Sequence, residues 1–222
     1  MSDYIVYNSG FPGDTTLELL KRFQMSVTEL QPDLVCLLIG SNDMLYPGHM
    51  LELDVYARNL NTLLDRIAYV GSEAMLMTAP RFVTRLLLET YPATLEHKYS
   101  PEERLIMLNN VIRDVAAERG IELVDLYKLI DPADESEESL LLNEANSNRR
   151  DGMHFNAQGN QVVAENVCKC ILKYYPDARR IVCLGDSLTY GVYMPGKGTS
   201  EPDALTYPGI LQKLLNSTPE NF

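Results

Sequence analysis

The sequence predicts a three-layer α/β/α sandwich built on a five-stranded parallel sheet, and three observations lead there. Short β-rich runs alternate with longer helical patterns from end to end, which is the signature of parallel βαβ units. One of those runs, Leu34–Ile39, is apolar at every position, as a central strand covered on both faces requires. The segments between runs repeat apolar residues at three- and four-residue steps and carry capping residues where helices should open.

In chain order, Tyr4–Tyr7 is the first strand, followed by the glycine-bearing loop NSGFPGDTT. Leu34–Ile39 is the second, leading into GSNDMLYPGHM. LDVYARNLNTLLDRIAYV, starting at Leu53, is an amphipathic helix, and Ala74–Ala79 is the third strand. The segment SPEERLIMLNNVIRDVAAERG opens a helix with Ser100 as N-cap, Pro101 at the first position and Glu103 completing a capping box; Gly120 ends it. Glu122–Val124 is a short fourth strand, a helix follows from about Ala157 to Tyr174, and Ile181–Leu184 is the fifth strand. A last helix runs from about Tyr207 to Leu215, and the acidic stretch Asp134–Ser139 is read as a solvated loop. No repeat or linker divides the chain, so a single domain is expected over residues 1–222, long enough at 45% apolar side chains for one well-buried core.

Composition narrows the function. A net charge of -12 leaves no basic stripe to neutralise a phosphate backbone, which argues against a nucleic-acid partner. The longest apolar run is far too short to span a bilayer, so no membrane partner is expected. The opening MSDYIVYNSG lacks the basic start and apolar stretch of a secretory signal, and a cytoplasmic location is the expectation. Cys36 and Cys183 lie in strand-like runs, while Cys168 and Cys170 point in different directions on one helix. They read as buried or half-buried thiols, with no metal site and no cofactor expected.

In open parallel sheets, ligands sit beyond the carboxyl ends of the strands, and those loops hold a set of groups suited to acyl transfer. Ser187 follows the fifth strand within three residues. A serine hydroxyl needs a base to take its proton, and imidazole has the pKa for that work. His154 is the candidate base, with Asp151 three residues upstream to hold the ring's tautomer and stabilise the imidazolium. The oxyanion formed by attack needs donors placed in advance. Asn42 offers a side-chain amide, Gly13 a backbone N–H with no Cβ in the way, and Ser187 its own backbone N–H.

The stretches GDSLTYG, GFPGDTT, GSNDM and DGMHFNAQGNQVVAE together resemble the four sequence blocks of the SGNH hydrolases, the GDSL esterase/lipase family. The resemblance covers nearly the whole chain and includes TYPGILQKLL, which is similar to the family's first helix. It implies the flavodoxin-like fold of that family, with Ser187 as nucleophile, Gly13 and Asn42 as oxyanion donors, and Asp151 and His154 completing the triad. Asp186 and Asp43 are expected to hold loops, with a supporting role open to Asp14 and Asp43.

Block order departs from the family. The family runs Ser, Gly, Asn, then Asp and His, whereas here the Ser block comes last, in the segment 177–222, as a circular permutation would place it. The link YYPDARR has ordinary helix-to-strand length, and the ends near Asp3 and Phe222 would then fall in a bottom-edge loop, away from the chemistry. A serine segment at the end of the chain could also dock into a neighbour and make a swapped homodimer, but the short link favours the site within one chain.

His49 and His97 lie in loops that could line the substrate mouth, but neither has an acid at supporting distance in a comparable motif. The activity expected is hydrolysis of a carboxylic ester, of acetyl or other short acyl type, through an acyl-enzyme. Its partner is a small-molecule ester such as an acylated sugar. Acyl transfer, thioester hydrolysis, and a non-catalytic binding module on the same fold are the alternatives the residues leave open.

Overall fold

A computed structural model of the chain describes residues 3–132 and 135–217. Asp134 of the acidic loop and Phe222 lie outside the described residues. Five strands form one sheet in the order β1-β5-β2-β3-β4, and every pairing is parallel. They are β1 (Ile5–Gly10), β2 (Leu34–Leu38), β3 (Glu73–Met77), β4 (Leu123–Val124) and β5 (Arg180–Gly185).

Side-chain alternation along the strands divides the interior into two cores. Leu34, Cys36 and Leu38 pack with Ile181 and Cys183 against the Ala157–Tyr174 and Tyr207–Ser217 helices. Val35, Leu37 and Ile39 pack with Val182 and Leu184 against the Thr16–Ser26, Leu53–Tyr69 and Pro101–Arg119 helices. All five residues of β2 are buried, as its uninterrupted apolar run requires. Cys36, Cys168 and Cys183 are buried, Cys170 is half-buried, and all four are free thiols.

Element ends differ from the sequence reading for identifiable reasons. β1 runs on to Gly10 because it pairs residue for residue with β5 as far as Gly185. β3 stops at Met77: the Thr78 N–H still donates to Val124 O of β4 at 3.2 Å, but that of Ala79 is claimed from outside the ladder by Asn109 Oδ1 at 2.8 Å. The Ser100 capping box forms as expected, and Gly120 closes that helix at φ 64° in the left-handed region. The Thr16–Ser26 helix lies outside the helices assigned from sequence; Thr15 and Glu18 make a full capping box at its start, in T-x-x-E spacing. Among the described residues no helix is long and apolar enough to cross a membrane.

The C-terminal strand lies between the first two, and its end is closely fitted. A Cβ on Gly185 would meet Thr189 Oγ1 at 2.3 Å and Leu38 O at 2.4 Å. Only glycine lets the short Ser187–Tyr190 turn fold back over the sheet at that point.

Candidate active site

At the carboxyl edge of the sheet, Asp186 directly follows β5 and caps the next turn, its Oδ1 accepting from the Leu188 N–H at 2.9 Å. This sets Ser187 at the first helical position, where a backbone N–H has no intrahelical acceptor. Ser187 Oγ lies 3.0 Å from His154 Nε2 within the same chain. The other ring nitrogen, Nδ1, is 2.8 Å from Asp151 Oδ2. With Nδ1 carrying the proton toward the carboxylate, Nε2 is left to accept from the serine hydroxyl.

Asp151 and His154 are joined by irregular backbone that turns at Gly152, φ 68°. Asp151 Oδ1 accepts from the backbone N–H groups of Met153 at 2.8 Å and His154 at 2.6 Å. One carboxylate therefore orders both the loop and the ring. Burial by itself would raise Asp151, but the bond to the His154 ring, the imidazole's charge and the two backbone donors hold its carboxyl below the usual carboxylate range.

Ser187, His154, Gly13 and Asn42 all open onto one cavity of about 340 Å³. Gly13 has φ 86°, and the space a Cβ would take is open, so its glycine is demanded by backbone conformation and not by crowding from the protein. Among the described residues the backbone N–H groups of Gly13 and Ser187 have no acceptor in the chain. Asn42 Nδ2 donates to Asp14 O at 2.8 Å, which fixes the amide plane, and Asp186 Oδ2 lies 3.5 Å from the same nitrogen.

Arg22 and Asp43 hold these loops together. Arg22 reaches Asp14 Oδ2 at 2.6 Å and donates from Nη2 to the carbonyls of Ser9 at 2.9 Å and Gly185 at 3.0 Å, tying the ends of β1 and β5 to the Gly13 loop. Asp43 accepts from Thr16 N at 3.0 Å and from Thr16 Oγ1 at 2.6 Å, joining the Asn42 turn to the helix after that loop. Asp43 and Asp186 thus do hold loops, while Arg22 had no signal in the sequence: nothing local distinguishes it from a surface arginine on an amphipathic helix.

The sequence reading also left the cavity wall unassigned. Leu45, Tyr46, Phe82, Leu87, Tyr91 and Met153 are among its lining residues and come from four separated loops and helices. His49 and His97, in loops that could line the mouth, are not among the residues that border the cavity. Tyr46 supplies the wall and His49 packs on it, ring centroids 4.7 Å apart. His97 is turned onto its own loop, with Nδ1 accepting from Tyr99 N at 3.1 Å.

Three buried carboxyl groups sit beneath the site with one guanidinium among them. Burial raises Asp186 to about 7 and Asp43 to about 6, and neighbouring carboxylates add to both. Burial also raises Asp14, against the opposing pull of Arg22. The native state thus holds these protons more tightly than the unfolded chain, whose carboxyls ionise near 3.8. Their contribution to stability is full below that value and is lost as pH rises toward 6 for Asp43 and 7 for Asp186. Asp151 works in the opposite sense, stabilising above 3.8 and losing its effect as pH falls. Asp186→Asn keeps an oxygen for the Leu188 N–H and removes one titration. The urea midpoint of the variant is expected to fall less between pH 5 and pH 8 than that of the wild type; an equal fall in both would assign the pH dependence to other groups.

Residues 2–162 match the family model described as the GDSL-like Lipase/Acylhydrolase family. The matched stretch contains Gly13, Asn42, Asp151 and His154 and ends before β5 and Ser187. No curated protein matches the chain. Among solved structures, a lipase/acylhydrolase from Enterococcus faecalis is similar at 26% identity and TM-score 0.57, covering 72% of this chain and 71% of that one. An acetyl xylan esterase is similar at 21% identity and TM-score 0.56, covering 73% of this chain and 79% of its own. An acetylxylan esterase from Geobacillus stearothermophilus is similar at 21% identity and TM-score 0.51, over 71% and 67% of the two chains.

Proposed function

Since the chain belongs to the GDSL-like lipase/acylhydrolase family of ester-hydrolysing serine hydrolases, we propose that it cleaves carboxylic esters through an acyl-enzyme on Ser187. The observation that carries the reading is the continuous hydrogen-bonded path from Ser187 Oγ through the His154 ring to Asp151, at 3.0 and 2.8 Å, opening on a single cavity.

The steps follow from these positions. Ser187 Oγ attacks the ester carbonyl as His154 Nε2 takes the hydroxyl proton, and Asp151 stabilises the imidazolium that results. The carbonyl oxygen becomes an oxyanion facing the free N–H groups of Gly13 and Ser187 and the Asn42 amide. Collapse expels the alcohol, which leaves with the proton from Nε2. Water then gives a proton to the same nitrogen, attacks the acyl-serine, and releases the acid as the proton returns to Oγ.

The acyl group belongs against the wall of Leu45, Tyr46, Phe82, Leu87, Tyr91 and Met153. A cavity of roughly 150 Å³ accepts a benzene ring. The space here, about 340 Å³, therefore accommodates short acyl chains beyond acetyl and leaves room for part of the alcohol. An acylated sugar is the proposed substrate, supported by the acetyl xylan esterases among the similar structures.

The block order is a circular permutation of the family's. Counted from β5 as first strand, the sheet order β1-β5-β2-β3-β4 becomes 2-1-3-4-5, the flavodoxin-like arrangement. The Tyr207–Ser217 helix ends where β1 begins, with Tyr4 N donating to Asn216 Oδ1 at 2.9 Å and Gln212 Nε2 donating to Tyr4 O at 2.7 Å. This is where a parent chain would run on from helix to strand.

A fluorophosphonate probe tests the reading. It is expected to add a single phosphonyl group, mapped by mass spectrometry to the peptide bearing Ser187, with loss of turnover in step. Modification of a different serine, or full activity after labelling at Ser187, would overturn it.

A further inference from the structure

We propose that Arg149 and Tyr193 form a subsite for the alcohol half of the ester, and that this half carries a negative charge; the inference rests on the assignment of Ser187 and His154 above. It begins with a backbone outlier. Met194 N donates to Gly191 O at 2.9 Å, so Gly191–Met194 is a turn, and its third residue, Tyr193, has φ 69°. That position is one glycine or asparagine ordinarily fills, and a bulky residue there is uncommon. Residues held in such conformations concentrate at functional sites.

The turn holds an aromatic ring against the His154 imidazole, just outside the residues that line the cavity. Tyr193 is 46% exposed, and its ring meets His154 nearly edge-on, centroids 5.7 Å apart at 87°. His154 delivers the proton to the departing alcohol, so an exposed side chain in edge-on contact with its ring flanks that alcohol.

The Arg149 guanidinium sits 4.1 Å from the centroid of the Tyr193 ring. This keeps it within roughly a Debye length of the imidazole, about 10 Å at 0.1 M salt. Among the described residues it has no carboxylate at ion-pair distance and no side-chain hydrogen-bond acceptor, although the chain carries a net charge of -12. The adjacent Arg150 shows what an ordinary surface arginine does here: it binds Glu89 at 2.7 Å and Glu144 at 2.7 Å. A guanidinium stacked on an aromatic face keeps its N–H edge free and fixed in direction, which suits a carboxylate or phosphate held in its plane.

Two esters with one acyl group and phenols of similar acidity test this: phenyl acetate and meta-acetoxybenzoate, with meta-acetoxyphenyl phosphate as a second anionic arm. The ratio of kcat/KM for anionic over neutral ester is the readout, so a general loss of activity cancels. The ratio is expected to fall about three- to tenfold in Arg149→Gln, with part of it kept in Arg149→Lys, and to shrink in wild type as salt is raised. The larger response of the two anionic arms identifies carboxylate or phosphate as the preferred group. A ratio that moves less than twofold in Arg149→Gln overturns the proposal.

Binding separates this result from failure of the catalytic reading. The Ser187→Ala protein is expected to bind meta-hydroxybenzoate more tightly than phenol, and Ser187→Ala/Arg149→Gln to lose that preference. Equal binding by the two proteins overturns the subsite whether or not any ester is turned over. Absence of turnover with the binding preference intact counts against the acyl-enzyme alone.

Discussion

Ser187→Ala is expected to lower kcat for phenyl acetate on the order of 10^4-fold or more, leaving fold and substrate binding unchanged. Among the described residues the hydroxyl makes one hydrogen bond, to His154 Nε2, and the backbone N–H that would face the oxyanion survives the substitution. What disappears is the atom proposed to form the acyl-enzyme. The loss should therefore fall on kcat with KM little altered, and the residual rate should no longer respond to fluorophosphonate. Turnover at the wild-type rate would show that another group attacks.

Asp151→Asn is expected to cost about 10^3- to 10^4-fold in kcat, the scale seen when a triad aspartate is made neutral in the serine proteases. Two effects act together. Asn cannot stabilise the imidazolium by charge, and its amide can present an N–H to Nδ1, which selects the tautomer whose Nε2 bears the proton and cannot accept from Ser187. The backbone bonds from Met153 and His154 to Oδ1 can be kept by the Asn oxygen, so the loop should hold its shape. Steady-state kinetics beside a urea unfolding curve checks both parts. A large fall in stability with little change in kcat would make Asp151 a loop anchor and not part of the proton path.

Much of the site was legible because its parts are short. Asp151 and His154 are three residues apart, and a serine just past a glycine-ended apolar run has few places to go other than the carboxyl edge of a parallel sheet. The helix at Ser100 was readable for a similar reason, since its cap, its proline and its closing glycine are all local signals. The same logic exposes an omission at Thr15–Glu18, where an equally local capping box opens a helix.

The parts that were not legible are assembled from distant pieces. Arg22 matters because one guanidinium spans Asp14, Ser9 and Gly185, the last of them 163 positions away. The cavity wall draws on Leu45, Phe82 and Met153, each of which reads locally as one more core residue. His49 and His97 had the right chemistry and loops of the right kind, and only the folded chain shows that neither is among the residues bordering the cavity.

By itself, then, this sequence determined the alternation of strands and helices, the apolar character of the central strand, and which chemical groups stand at the loop ends. Those features depend on neighbours within a few positions, where backbone geometry ties periodicity to conformation. Tertiary structure decided that β5 enters between β1 and β2, that the serine after it meets an imidazole 33 positions earlier, and that Arg149 stands over Tyr193 beside that ring. Strand order and side-chain facing are settled by the packing of surfaces far apart in the chain, and no local pattern encodes that free energy.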